Sequence, residues 1–198
     1  MSQTVAALIV FLFPLAYSPG PGNIFFAANG ARFGFGATVP ANVGYHLATW
    51  IVTAAIGLGF VAAMEQFPLV FVILQVAGSL FVLRIAWKLF RAGALEDNED
   101  AQPAGFANGV LLLLLNPKAY VIITLMFTQF LAPMDSGELS AVLIIATVFT
   151  LNNLVAFSVW ALVGDKIAGL FRTPDSARRL NMVFGAVLAL VAVWMLII

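Results

Sequence analysis

A short break, Ser18–Asn23 (SPGPGN), interrupts the first long apolar run of this chain, which extends from about Gln3 to Ala31. Each proline removes a backbone donor and clashes with the preceding turn, and each glycine weakens a helix by about 1 kcal/mol relative to alanine. A continuous helix is therefore excluded across these residues. Because hydrocarbon offers no partners to free backbone groups, the break must be buried in protein or line a cavity. It is the first candidate for a binding site.

The composition predicts an integral membrane protein. The chain is 63% hydrophobic and 9% charged, and its mean hydropathy is +1.05, whereas soluble domains are about 45–50% apolar and about 25% charged. A net charge of +0 gives no indication of nucleic-acid binding. The absence of cysteine and the single histidine, His46, argue against thiolate catalysis and a multi-histidine metal site, so we expect no metal and no cofactor. The first positive charge, Arg32, comes too late for a typical signal peptide.

Six apolar stretches are long enough to cross a bilayer, which requires about 20 residues. We predict a single transmembrane domain over 1–198, with one half over about 1–93, a polar cytoplasmic linker over about 94–105 and a second half over about 106–198. The linker contains an acidic run over 96–100. The predicted spans are Gln3–Ala31, Ala37–Ala63, Leu69–Phe90, Phe106–Leu131, Leu139–Val163 and Leu180–Ile197.

The basic residues predict the orientation of these spans. Outside the fourth span, every Lys and Arg falls after span one, at the end of span three or between spans five and six, whereas the two turns on the other face carry only acidic charges. Because loops rich in Lys and Arg remain in the cytoplasm, we expect the basic face to be cytoplasmic and both termini to lie outside. The basic residues are Arg32, Arg84, Lys88, Arg91, Lys166, Arg172, Arg178 and Arg179.

A second break, Asn116-Pro117-Lys118, interrupts span four, the counterpart of span one in a three-plus-three arrangement. Three is an odd number, so the two halves would enter the membrane with opposite topology. Paired interrupted spans indicate a transporter site at an inverted-repeat interface. We therefore predict an all-α integral membrane protein of six transmembrane helices, built as two inverted three-helix repeats in which helices 1 and 4 are broken.

Two residues at the breaks are the first candidates for binding. We expect Asn23 to open the half-helix after the first break, whose positive N-terminal end can hold a carboxylate; the alternative is a proline kink capped by Asn23 for packing alone. Lys118 lies in span four, where a charge costs at least about 2.5–3.5 kcal/mol. It would pair with a substrate carboxylate, or else stabilise the kink or extend to the membrane surface.

Three further polar residues lie within predicted spans. Asn152 and Asn153, in span five, are candidates to hold a substrate ammonium together with carbonyls freed at the breaks, or to join helices by hydrogen bonds. His46, in span two, is a candidate proton carrier. The alternative for a lone histidine is a neutral ring that is hydrogen-bonded within the helix bundle.

Several motifs resemble the LysE/RhtB superfamily of small amino-acid exporters. The first is Ser18–Asn23 followed by Asn29–Gly36 (NGARFGFG), and the second is Gly78–Phe90 (GSLFVLRIAWKLF) at the end of span three. The third is Phe106–Gly109 (FANG) followed by Leu115–Ala119 (LNPKA). Their spacing covers essentially the whole chain. The sequence departs from the family pattern in one respect, because Gly22 stands between Pro21 and Asn23, where many members have Asn or Asp directly after Pro-Gly-Pro.

The resemblance implies six spans, a homodimer, and efflux of amino acids or close derivatives driven by the proton gradient. It also implies that both breaks line the substrate site. The residues it singles out are Pro19, Gly20, Pro21, Asn23, Asn116, Pro117 and Lys118.

The sequence thus predicts a secondary transporter that exports a small zwitterion across the cytoplasmic membrane. We expect neither a nucleic-acid partner nor a cofactor. The alternative is a membrane protein that does not transport, either an intramembrane enzyme or an assembly factor, because broken helices line cavities in those classes too. The chain carries no G-x-S-x-G, H-E-x-x-H or P-loop motif. We therefore predict that it is not an enzyme.

Overall fold

The computed structural model describes residues 2–60, 68–91, 102–131, 138–169 and 174–197, and every regular element among them is a helix. A π-helical stretch, Ile56–Phe60, continues the third helix. The α-helices are α1 (Ser2–Tyr17), α2 (Pro21–Phe33), α3 (Phe35–Ala55), α4 (Pro68–Arg91), α5 (Phe106–Leu114), α6 (Pro117–Phe130), α7 (Glu138–Ala168) and α8 (Pro174–Ile197).

The chain bends sharply at both predicted breaks. The axis turns by 60° between α1 and α2 and by 63° between α5 and α6. Pro21 and Pro117 each stand at the start of the helix that follows the bend. Proline suits this position because its missing N–H would have no partner inside the helix. The sequence chemistry of the breaks therefore explains where α2 and α6 begin.

A single glycine joins α2 to α3. Gly34 has φ +82° and ψ 160°, a conformation that side-chain-bearing residues avoid. The tight turn lets α3 begin at Phe35, slightly before the predicted Ala37, and the N–H of Phe35 donates to Asp165 Oδ2 at 3.0 Å. α8 likewise begins at Pro174, ahead of the predicted Leu180.

One helix is by itself long and apolar enough to cross a membrane, considering only the residues that the structure describes. This is Leu139–Ala168. The two bent pairs also qualify if each pair is counted as one crossing, which gives up to three crossings by length and composition. The remaining three of the six predicted spans stay predictions.

α7 is the central element of the fold, because it packs against α1, α2 and α3. α5 packs on α3, and α4 packs on α8. One apolar cluster joins α1, α6 and the first half of α7 around Phe149, and a second joins α2, α3, α5 and the second half of α7 around Phe157. The polar residues at the bends lie between these two clusters.

Some predicted features lie outside the described residues. They are the end of span two (61–63), most of the polar linker with its acidic run (94–101), the acidic turn residues Glu65 and Asp135, and Arg172.

Candidate functional site

A small cavity lies where the two bends meet. Its volume is about 20 Å³, which is room for about one water molecule. Both bends, α3 and α7 contribute to its wall. The lining residues are Leu15, Ala16, Pro21, Gly22, Asn23, Tyr45, Asn116, Lys118, Ala119, Ile122, Phe149, Asn153 and Phe157.

Side chains satisfy all four of the last carbonyl groups at the end of α1. A helix normally leaves these four groups without intrahelical partners. Here each one accepts a hydrogen bond from a side chain, and three of the donors come from beyond the bend. The bonds are Ser18 Oγ to Leu15 O (3.1 Å), Asn23 Nδ2 to Ala16 O (2.8 Å), Trp160 Nε1 to Tyr17 O (3.2 Å) and Lys118 Nζ to Ser18 O (3.3 Å).

Asn23 has the alternative role, that of a cap for a backbone group freed at the kink, and its part in substrate binding stays a prediction. α2 begins at Pro21 with Gly20 as its N-cap residue, so the prediction that Asn23 opens this helix is wrong. The buried Asn23 side chain instead closes the end of α1 by donating to Ala16. The freed carbonyls at this end were predicted to hold a substrate ammonium, but protein donors already occupy them.

The N-terminal ends of α2 and α6 differ from the end of α1, because no described side chain caps either of them. Gly20 and Asn116 stand at the two N-cap positions, and neither helix receives a side-chain capping bond from the described residues. A helix N-terminus carries about half a positive charge and free N–H donors. The site therefore has two positive helix ends beside a cavity.

Lys118 adds a full charge next to these helix ends. Its Nζ donates to Ser18 Oγ at 3.0 Å and to the Ser18 carbonyl at 3.3 Å. A Cβ atom built on Gly20 would lie 3.0 Å from Nζ, so the lysine crosses the first bend at close range. Among the described residues, no carboxylate forms an ion pair with it. Its charge is available to an anionic group.

Asn116 supplies a hydrogen-bond acceptor, in contrast to the donor group of Lys118. Its Nδ2 donates to the hydroxyl of Tyr45 at 3.1 Å, which assigns the other amide atom, Oδ1, as an acceptor. Oδ1 is buried and has no hydrogen-bond partner within the described part of the chain. An unpaired buried acceptor is costly, so this atom is suited to a donor supplied by a ligand.

His46 lies behind the cavity wall. Its ring contacts those of Tyr45 and Phe157, with centroid distances of 5.1 and 5.4 Å. Nδ1 lies 2.8 Å from the carbonyl oxygen of Asn42, and because a carbonyl only accepts, Nδ1 carries the hydrogen of the neutral ring. Nε2 is buried without a partner in the described chain, so it is an unpaired acceptor of the neutral ring.

The structure brings together five of the nine predicted binding residues: Pro21, Asn23, Asn116, Lys118 and Asn153 all line the cavity. Gly20 packs against Lys118 from outside the lining. The others, Pro19, Pro117 and Asn152, do not line it; Pro19 is exposed, and the buried Nδ2 of Asn152 has no partner among the described residues.

Tyr45, Phe149 and Phe157 are lining residues that were not predicted. Phe149, Asn153 and Phe157 recur every four residues on α7 and so share one face of that helix. Given Asn153 as a candidate, this four-residue spacing could have predicted Phe149 and Phe157 from the sequence. Tyr45 immediately precedes His46, but its bond to Asn116 joins residues 71 positions apart, and no local pattern indicates such a partner.

The comparisons with known proteins decide the family. Residues 13–198 match the family described as LysE type translocator. The chain belongs to this family. Translocators move solutes and do not transform them, so the LysE resemblance and the prediction that the chain is not an enzyme are confirmed. The non-transporting alternative is not favoured.

Three relatives of this LysE chain cover most of its length. It is 26% identical to the homoserine/homoserine lactone efflux protein of Salmonella typhimurium over 89% of the chain and 88% of that protein. It is 27% identical to the cysteine/O-acetylserine efflux protein of Escherichia coli K12 over 90% of each. It is 26% identical to a membrane protein of Vibrio cholerae over 90% of the chain and 88% of that protein. No solved structure gives a significant match.

Proposed function

We propose that this LysE-family protein exports an amino acid or a close derivative, in its zwitterionic form, across the cytoplasmic membrane. One observation carries the proposal: two uncapped helix N-termini and the Lys118 ammonium surround the same cavity as the unpaired acceptor Asn116 Oδ1. A positive charge and a neutral hydrogen-bond acceptor therefore lie within one small site. The relatives named for homoserine, cysteine and O-acetylserine efflux support the same class of solute.

In this proposal the substrate carboxylate binds Lys118 and the helix ends of α2 and α6. Ser18 now accepts the hydrogen bonds of Lys118, and a carboxylate would replace it as a stronger, charge-assisted partner. The substrate ammonium would donate to Asn116 Oδ1, and Asn153 also lines the cavity. Tyr45 holds the Asn116 amide in the required orientation through its hydroxyl.

The cavity must widen before it holds such a solute, because about 20 Å³ is far smaller than the roughly 300 Å³ at which ligand pockets usually begin. We take the described arrangement as a closed state. Rocking of one half of the protein against the other would open the site to each side in turn.

We further propose that each bent pair is one broken span of a six-span inverted repeat. The packing supports this in part, because helix pairs that correspond in the two halves make corresponding contacts. The contact of α3 with α5 corresponds to that of α7 with α1, and the contact of α2 with α8 corresponds to that of α6 with α4. α2 packs much more closely on α7 than its counterpart α6 does on α3. Such a difference between repeats is expected if only one side of the site is closed tightly. The homodimer remains a prediction from the family resemblance.

The first test is efflux from cells loaded with amino acids by dipeptide feeding. Cells that produce the protein should release homoserine, cysteine or related small amino acids several-fold faster than cells with an empty vector. Collapse of the proton gradient by an uncoupler should abolish the difference. An unchanged efflux rate for every amino acid, with the protein detected in the membrane fraction, would contradict the proposal.

His46→Gln should uncouple export from the proton gradient. Glutamine retains a donor for the Asn42 carbonyl but offers no nitrogen that takes up a proton near neutral pH, in place of the free Nε2. We expect its efflux rate to match, within about twofold, that of the unmodified protein measured with uncoupler. Export by the variant that stayed fast and sensitive to uncoupler would exclude His46 as the proton carrier.

A further inference from the structure

A second and much larger cavity lies at the opposite end of α2 from the bend. Its volume is about 450 Å³, within the range of about 300–1,000 Å³ that is usual for ligand pockets. α2, α4, the segment 102–104 and the start of α5 form its walls. We call it the arginine cavity, because Arg32 and Arg84 both line it, together with Asn29 and Asn108.

The two arginines give this cavity a positive charge, and no acidic residue in the described part of its wall balances that charge. Arg32 is in the last turn of α2, and its guanidinium lies 5.2 Å from the centre of the Phe33 ring. Arg84 is on the facing helix α4. The described lining residues include no Asp or Glu, and neither arginine forms an ion pair within the described part of the chain. Two guanidinium groups around one space form a site for a planar anion such as a carboxylate.

Asn29 is an independent indication that a ligand binds there. Its side chain is only 8% exposed, and its Oδ1 accepts a hydrogen bond from the N–H of Ala104 at 3.4 Å. That bond assigns Nδ2 as the remaining donor, and Nδ2 is buried without a partner among the described residues. A buried donor left unpaired costs about 1–3 kcal/mol. An acceptor inside the arginine cavity would satisfy it.

We infer that the arginine cavity is a loading site for the carboxylate of the exported solute. Arg32 and Arg84 would bind the two carboxylate oxygens, and Asn29 Nδ2 would donate a further hydrogen bond. The inference rests on the proposed export function, and it adds a second carboxylate site on the basic, cytoplasmic side. Asn29 follows Asn23 by six residues on α2, about 9 Å along the helix axis. A solute leaving this site would move along α2 towards Lys118.

Transport kinetics give the first test. Proteoliposomes, or cells loaded to graded concentrations by dipeptide feeding, should show that Arg32→Gln and Arg84→Gln each raise the half-maximal substrate concentration about tenfold. The maximal transport rate should change by less than about twofold, because the small cavity at the two bends, with Lys118, is intact. Arg84→Lys should restore part of the affinity. The matched control is Arg178→Gln, which removes an exposed arginine of α8 and should change neither value.

Binding to the purified full-length protein gives the second test, and it does not depend on transport. The thermal unfolding midpoint should rise on addition of N-acetylglycinate but not of the neutral N-acetylglycinamide. N-acetylglycinate has no ammonium group for Asn116 Oδ1, so it should bind the site at the bends only weakly. Most of the rise should therefore persist in Lys118→Ala and be lost in the Arg32→Gln, Arg84→Gln double variant. Stabilisation that requires Lys118 and not the arginines would overturn the inference while leaving the central site in place.

The remaining outcomes separate this inference from the proposed function. Export by the unmodified protein with unchanged kinetics in both arginine variants would leave the function standing and overturn the loading site. Arginine-dependent stabilisation by N-acetylglycinate without export of any amino acid would support a carboxylate site and contradict the proposed function. Stabilisation by inorganic phosphate or phosphatidylglycerol nanodiscs, but not by carboxylates, would assign the cavity to a phosphate group and overturn the inference.

Discussion

Lys118→Ala should lower amino-acid export by about a hundredfold, while the protein continues to insert into the membrane. Among the described residues that line the small cavity at the two bends, Lys118 is the only one with a full charge. Hydrogen bonds to charged groups contribute about 1.5–3 kcal/mol each, which corresponds to a factor of about 10 to 100. Stability should change little, because the loss of the two hydrogen bonds to Ser18 is offset by removal of a charge that costs at least about 2.5–3.5 kcal/mol within a span. Efflux rate and the amount of protein in the membrane fraction are the two measurements.

Two control variants make this prediction specific. Lys118→Arg keeps the charge but carries a larger, planar head group beside Gly20, so export should fall by less than in the alanine variant. Lys166→Ala removes an exposed lysine at the end of α7 and should export normally. Normal export by Lys118→Ala would remove the lysine from the site. Loss of export together with loss of the protein from the membrane would assign it a role in folding instead.

The sequence indicated the bends and the charged residue because both follow from local chemistry. A proline cannot donate a backbone hydrogen bond wherever the chain goes, which favours a helix break or a helix start at Pro21 and Pro117. Proline alone does not decide this, since Pro14 and Pro40 stand inside α1 and α3. A lysine within an apolar span is costly in any fold, which made Lys118 a candidate before any partner was known. Neither the chemistry of the prolines nor the cost of the lysine depends on how the helices pack.

The partners of these residues could not be read from local patterns. Asn152 and Asn153 are adjacent amides, and successive helical residues point about 100° apart, so only the packing of α7 decides that Asn153 lines the cavity. The same limit explains the error at Asn23. It was expected to open the helix that contains it, but that helix begins at Pro21 and the Asn23 side chain donates back across the bend to Ala16. Long-range pairing of this kind is a property of the assembled fold.

Gly30→Val should prevent the stable packing of α2 on α7, and it should therefore destroy both the fold and the site. A Cβ atom on Gly30 would overlap the carbonyl group of Ala161, and one on Gly164 would overlap that of Ala27. The two helices thus place a glycine against each other's backbone, the close contact that small residues permit in membranes. Overpacking usually costs about 1–3 kcal/mol, but here the obstacle is backbone that no rotamer change can move. We expect most of the variant to elute as aggregate in size-exclusion chromatography.

Gly36→Val is the matched control, because it makes the same chemical change in a helix where a Cβ atom would meet nothing within 4 Å. Both variants add the same apolar side chain and carry a comparable change in helix propensity. A difference between them therefore measures the contact between α2 and α7. Asn23 of α2 and Asn153 of α7 both line the cavity, so any folded fraction of Gly30→Val should have a widened site and little export. If Gly30→Val remained monodisperse and exported amino acids as well as Gly36→Val does, the close packing of α2 on α7 would be wrong.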